Sequence, residues 1–237
     1  MDAFYRTHRF ERTCATIVRA VQNEQEIILE SDCFYPGGGG QPCDLGILRT
    51  GGGAEYAVLA VRHAGEHSIL TVDRAGLHPG DPVTAVIDWE RRSTLMRMHT
   101  AAHLLSAIIA RASGALITGN QLGLQRSRID FSLEHHDPGV LQHAIEDANA
   151  HISKGAPVRA NLLTREEILS DGACSRLAKG LPETPGPLQV ITIEGLDRQV
   201  CGGTHVDDLR TIGTIIFTGT ENKGKNNRRM YFELSSP

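Results

Sequence analysis

Two short stretches hold metal-binding residue types at spacings that let them act together. In "CGGTH", Cys201 and His205 flank two glycines and a threonine; in "HTAAH", His99 and His103 stand four positions apart. On a helix, side chains at i and i+4 leave one face a turn apart, as two ligands of one ion require. The glycines of the other stretch let the backbone curl, so that both side chains face inward. Thiolate and imidazole are donors that suit zinc. His99, His103, Cys201 and His205 are therefore expected to hold one Zn2+. Either pair alone is a weak signal; both in one chain point to a shared ion. Thr100 occupies the place of the glutamate in the metalloprotease pattern H-E-x-x-H, which argues against protease chemistry. Four protein ligands ordinarily close a zinc site, whereas a catalytic zinc keeps a position open. For catalysis, either one ligand is displaced or the ion positions the substrate without supplying hydroxide.

The histidine pair falls in "DWERRSTLMRMHTAAHLLSAIIARAS", where Leu95, Met98, Ala102, Leu105, Ile108 and Ile109 follow helical spacing. Asp88 or Ser93 is expected to cap this helix, and "SG" at 113–114 to close it. Before it, residues 14–30 read as a hairpin of two β-type runs around "QNEQ". In "YPGGGGQPCDLGIL" four consecutive glycines and two flanking prolines oppose regular structure. The runs "EYAVLAVRH", "HSILTVD" and "DPVTAVID" complete a small β-barrel over residues 1–87. After the helix come a strand at "SRIDFSL", a polar helix around 138–153, a strand-like "PVRANLLT" and a short helix near 164–170. A Pro/Gly-rich "KGLPETPGPL" precedes the final β-type segments. Residues 88–237 are expected to form a zinc-binding α+β domain.

Composition sets further bounds. The formal net charge of −4 argues against indiscriminate nucleic-acid binding, though "NKGKNNRR" offers a local basic patch. Apolar stretches such as "LLSAIIA" are far shorter than the roughly 20 residues of a membrane span. The charged N-terminus shows no secretory signal. Five cysteines, an odd number, suggest reduced thiols in a cytoplasm and no disulfide framework.

Five motifs, "GGGGQPCD", "HTAAH", "SRIDF", "CGGTHV" and "KGKNNRR", run in order between about Asp32 and Phe232. Together they resemble the alanyl-tRNA editing proteins of the AlaX type, relatives of the editing domain of alanyl-tRNA synthetase. The resemblance implies a translation-factor-like β-barrel followed by an α+β editing domain. It implies hydrolysis of the ester joining serine or glycine to tRNA(Ala), with tRNA(Ala) carrying a wrong amino acid as the partner. No membrane and no obligatory protein partner are expected. It also puts His99, His103, Cys201 and His205 on the family's zinc ligands, and Gly37, Gly38, Gly39, Gly40 and Gln41 near the substrate pocket.

On this reading the backbone N–H groups of Gly202 and Gly203 are expected oxyanion donors. Gln121 or Asn120 is expected to orient water or substrate. Thr100 keeps a hydroxyl on the pocket wall, while Ala102 stands where the family often has threonine, which favours glycine or a broader substrate range. Asp130 is either a support for the site or a strand residue paired with Arg128. Arg91, Arg92 and Arg97 are expected to join Lys223, Lys225, Arg228 and Arg229 on tRNA phosphates; the alternative is ion pairs for Arg91 and Arg92 with neighbouring acids. Two other functions compete. A structural-zinc RNA-binding module draws on the closed ligand set, but aromatics are only 5% and no RNP-like strand offers a stacking platform. A metal-dependent hydrolase of small acyl substrates lacks the H-E-x-x-H glutamate and any carboxylate ligand.

Overall fold

Alternation of apolar and polar residues at period two closes the first part of the chain into a barrel. The structure, a computed structural model, describes residues 4–65, 67–133, 138–171 and 186–235. It is α+β with an N-terminal barrel, and it divides into two units, Met1–Thr94 and Leu95–Pro237.

In the first unit a short helix α1 (Phe4–Thr7) precedes strands β1 (Thr13–Gln22), β2 (Glu26–Leu29), β3 (Gly46–Thr50), β4 (Glu55–Ala64), β5 (His67–Val72) and β6 (Pro82–Ile87). They close antiparallel in the order β1-β2-β5-β4-β3-β6. Alternate residues such as Val83, Ala85 and Ile87 turn inward to meet Val18, Ile27, Leu48 and Leu70. Strand β3 corrects the expectation that "GIL" belongs to an irregular glycine segment. Gly46 is there for a close approach, since a Cβ would collide with the Val86 carbonyl oxygen on the neighbouring strand. The expectation of reduced thiols is also corrected for two cysteines. The β1–β2 hairpin brings Cys14 and Cys33 together, Cα atoms 6.1 Å apart, and they form a disulfide inside the barrel core. Cys43 and Cys201 take no part in a disulfide, and Cys174 lies outside the described residues.

Residues 35–44 form a loop tied at its base. The Tyr35 N–H donates to Asp44 Oδ2 (2.6 Å), the Asp44 N–H to the Tyr35 carbonyl (2.9 Å), and the Tyr35 hydroxyl to the Gly38 carbonyl (2.9 Å). Gly37, Gly38, Gly39 and Gly40 have φ of +86°, +132°, +57° and +84°, so the glycine run is the conformational requirement of the loop. A Cβ on Gly37 would also lie 3.2 Å from the Cys43 nitrogen. Gly37→Ala is therefore expected to destabilise the protein by about 1–3 kcal/mol, read from the denaturant midpoint.

Helix α2 (Trp89–Ser113) starts where Asp88 Oδ1 accepts from the Arg91 N–H at 3.0 Å and ends at Gly114, φ +72°. Asp88 is thus the cap, and Ser93 lies inside the helix.

In the second unit β7 (Ile117–Gln121), β8 (Arg126–Phe131), β12 (Ile215–Asn222) and β13 (Arg228–Leu234) form a sheet in the order β12-β13-β8-β7. A second sheet runs β11-β10-β9 from β9 (Val158–Leu163), β10 (Leu188–Ile193) and β11 (Asp197–Val200). Helices α3 (Pro138–Lys154) and α4 (Arg165–Ser170) and a 3-10 helix, Leu209–Ile212, join them among the described residues. The core includes Leu95, Met98, Leu104, Leu105 and Ile109 of α2, with Ile129, Phe131, Met230 and Phe232 of the sheet. Most of "KGLPETPGPL" lies outside the described residues.

Candidate metal centre

Helical periodicity turns His99 and His103 to one face of α2, and the segment after β11 brings Cys201 and His205 to the same place. All four ligand atoms lie within 4.8 Å of one another. Cys201 Sγ is 3.5 Å from His99 Nε2 and 3.5 Å from His205 Nε2. A sulfur at about 2.3 Å and a nitrogen at about 2.1 Å from one tetrahedral zinc lie about 3.6 Å apart, so the donor set fits that ion in type and spacing. The three histidines are buried, Cys201 is half-buried and Gly202 beside it is exposed.

Burial opposes ionisation of Cys201, but His99 and His103 outweigh it and hold the thiol well below its usual range. Burial likewise opposes protonation of His103, yet the Cys201 thiolate and the Asp197 carboxylate raise it to about 10. Burial takes His205 down to about 3, which leaves a neutral imidazole. The cluster thus offers a thiolate, and the proton between His103 and Cys201 is the one a metal ion would displace.

Three residues that support the cluster were not visible from motif spacing alone. Asp197 Oδ2 accepts from His103 Nδ1 at 3.2 Å and from Gln199 Nε2 at 2.6 Å, which aims the other ring nitrogen of His103 at the cluster. Gln189 Nε2 donates to the carbonyls of Cys201 (2.9 Å) and Gly203 (2.7 Å), while the Cys201 N–H returns a bond to the Gln189 carbonyl (2.9 Å). Period-two alternation offers the missing signal, since Asp197, Gln199 and Cys201 fall at i, i+2 and i+4. Gln189 follows from the register, in which Val190 pairs with Val200. Gln189→Leu leaves two carbonyls without this donor; an expected loss of about 1–3 kcal/mol is read by denaturant unfolding, together with reduced zinc content.

The structure separates the other expected residues. Thr100 and Ala102 are both buried in α2, and the Thr100 hydroxyl is engaged by the Met96 carbonyl, His205 and the Val206 N–H. The Gly203 N–H donates to Cys201 Sγ at 3.4 Å, which makes it a support of the thiolate, while Gly202 stands clear. Asn120 and Gln121 belong to edge strand β7, not to a turn, and Gln121 Oε1 accepts from Arg128 at 3.1 Å. Asp130 is held by Arg229 (2.7 and 2.9 Å) and Arg128 (2.9 Å), which keeps its carboxyl below the usual range.

Most of the cations expected on tRNA phosphates have partners within the protein. Arg92 is 1% exposed and locked in an ion pair with Asp44. Arg97 donates to the Ile212 carbonyl (2.8 Å) and to that of Ser235. Arg228 is buried against the Asn222 side chain and the carbonyls of its own hairpin, and Arg229 is engaged by Asp130. Arg91 donates to the Cys43 carbonyl at 3.1 Å, and Lys223 meets Glu221 at 3.3 Å. Lys225 is exposed in the β12–β13 turn.

Residues 188–231, which hold Cys201 and His205, match the second additional domain of threonyl and alanyl tRNA synthetases, and residues 6–91 match the class II (A) tRNA synthetases. Barrel, sheet and metal cluster thus belong to a protein related to tRNA synthetases. The chain is 40% identical over 243 residues to the alanyl-tRNA editing protein AlaX-M of Methanosarcina acetivorans, covering 98% of each. It is 37% identical over 210 residues to AlaX-M of Saccharolobus solfataricus, covering 88% of each. It is also 34% identical over 217 residues to the alanine–tRNA ligase of Thermoplasma acidophilum, covering 90% of the chain and 24% of the ligase. The chain belongs to the family of alanyl-tRNA editing proteins.

Proposed function

We propose that this chain hydrolyses the ester joining a wrong amino acid, serine or glycine, to tRNA(Ala), using one zinc ion held by His99, His103, Cys201 and His205. The convergence of one thiolate and three imidazoles within 4.8 Å carries this reading. An aminoacyl ester is an activated acyl group, so its hydrolysis needs a positioned water and stabilisation of a developing oxyanion. Bound zinc supplies Lewis acidity, polarising a carbonyl or lowering the pKa of a water. The chain itself supplies orientation: Asp197 fixes His103, and Gln189 and the Gly203 N–H hold the Cys201 turn. The Gly202 N–H is the oxyanion donor in this scheme. A Cβ at Gly202 meets nothing within 4 Å. A Gly202→Val variant is therefore expected to keep its zinc and lose turnover; unchanged turnover would remove Gly202 from the mechanism.

Discrimination against alanine works best when a buried polar group is satisfied by the serine hydroxyl and left unpaired by alanine. The Thr100 hydroxyl is already engaged within the protein, so it does not serve that purpose. We assign substrate contact to Gly37–Gln41 on the family resemblance, and phosphate contact to Lys225, which is exposed in the β12–β13 turn. No helix among the described residues is long and apolar enough to cross a membrane. A deacylase of aminoacyl-tRNA acts where aminoacylation occurs, and we place it in the cytoplasm.

The test is deacylation of Ser-, Gly- and Ala-tRNA(Ala) by the purified chain. Hydrolysis of Ser- or Gly-tRNA(Ala) with Ala-tRNA(Ala) spared is the expected result. A zinc-loaded chain that binds tRNA and hydrolyses none of the three would favour an RNA-binding module.

A further inference from the structure

The hydroxyl of Thr100 sits at a junction that the deacylation scheme does not use. It lies 2.9 Å from the Met96 carbonyl one turn back on α2, 3.1 Å from His205 Nδ1 and 3.2 Å from the Val206 nitrogen. Thr100 is wholly buried. A hydroxyl has one proton to give and two lone pairs to accept with. The Met96 carbonyl only accepts, and the Val206 N–H only donates. With the proton on Met96, a common arrangement for threonine in a helix, the oxygen accepts from Val206 and from a protonated His205 Nδ1. All three contacts are then satisfied at once. In a neutral ring, a proton on Nδ1 leaves Nε2 as the lone-pair donor. His205 Nε2 is the atom that faces Cys201 Sγ at 3.5 Å.

We propose that Thr100 is a positioning residue that sets the His205 tautomer and fastens the "CGGTH" segment to the metal-bearing helix. The first role decides which nitrogen of His205 is offered to the ion. The second comes from geometry: one side chain next to His99 in sequence holds both the ring of His205 and the backbone N–H that follows it. The two ligand pairs are more than 90 residues apart in the chain, and this hydroxyl is a direct hydrogen-bonded link between them. The assignment rests on the metal-centre reading and goes beyond it, because it concerns a residue that ligates nothing.

The test compares Thr100→Val, which keeps the branched shape and loses the hydroxyl, with Thr100→Ser, which keeps the hydroxyl and loses a methyl. Each is titrated with Co2+ against a competing chelator, and the thiolate-to-cobalt and d–d bands are recorded. Orienting partners of metal ligands typically contribute about 10–100-fold to affinity. Thr100→Val is expected to bind Co2+ about 10–100-fold more weakly with altered bands, and Thr100→Ser to bind within about threefold of the unaltered chain. Equal affinity and equal spectra for Thr100→Val would overturn the assignment, as would a serine variant no better than valine. Should Thr100→Val not fold, 15N-histidine spectra of the unaltered zinc-loaded chain decide the tautomer. A proton on His205 Nδ1 supports the assignment, and one on Nε2 overturns it. An unaltered chain that takes up neither Co2+ nor Zn2+ would instead overturn the metal-centre reading, and this assignment with it.

Discussion

Replacing His99 and Cys201 together with alanine is expected to abolish stoichiometric zinc binding and to lower Ser-tRNA(Ala) hydrolysis by at least about 100-fold, or about 3 kcal/mol of barrier. The change leaves His103 and His205, and two imidazoles alone do not make a zinc site of ordinary coordination. It also removes the thiolate that Cys201 brings to the cluster. Zinc content is measured beside the deacylation rate, so that loss of the ion and loss of the chemistry are read on one sample. A variant that holds no zinc and turns over at the original rate would remove the metal from the mechanism.

Asp44→Ala is expected to destabilise the protein by about 3–5 kcal/mol, because it strands a buried charge. Arg92 Nε lies 2.8 Å from both carboxylate oxygens of Asp44, and neither side chain is more than 1% exposed. The same carboxylate accepts the Tyr35 N–H at the base of the glycine loop, so the loop loses an anchor as well. The desolvation of two ions offsets much of their attraction, so the intact pair contributes less than its rupture costs. A double variant, Asp44→Leu with Arg92→Met, is accordingly expected to recover most of the loss. Denaturant midpoints read both effects; a single-variant loss below about 1 kcal/mol would mean that Arg92 finds another partner or water.

The four residues of the candidate metal cluster were legible because metal chemistry restricts both residue type and spacing. The histidine pair declared its helix, and the glycines of "CGGTH" declared a turn. Five of the six barrel strands and the β1–β2 turn were legible through alternation and turn residues. Strand β3 was hidden because its glycine serves a close strand approach and resembles the flexible glycines beside it. Strand β7 was hidden because "ITGNQ" at a sheet edge buries almost nothing and so shows no alternation. The roles of the arginines were the least legible. Arg92, Arg97, Arg228 and Arg229 read as a cationic surface in one dimension, but each is consumed by a carboxylate or carbonyls far along the chain or in its own hairpin. In one dimension Thr100 reads as a hydroxyl on the pocket wall. Its true position depends on the Val206 backbone and the His205 ring, which arrive from over 100 residues away.

The central claim is that the four-residue centre holds zinc and that ester hydrolysis depends on it. The most direct test strips the unaltered chain with a chelator, confirms the loss by metal analysis, and follows Ser-tRNA(Ala) deacylation before and after one equivalent of zinc is returned. The account predicts loss of hydrolysis on stripping and its recovery at one zinc per chain. Full activity in a chain shown to hold no metal would contradict it.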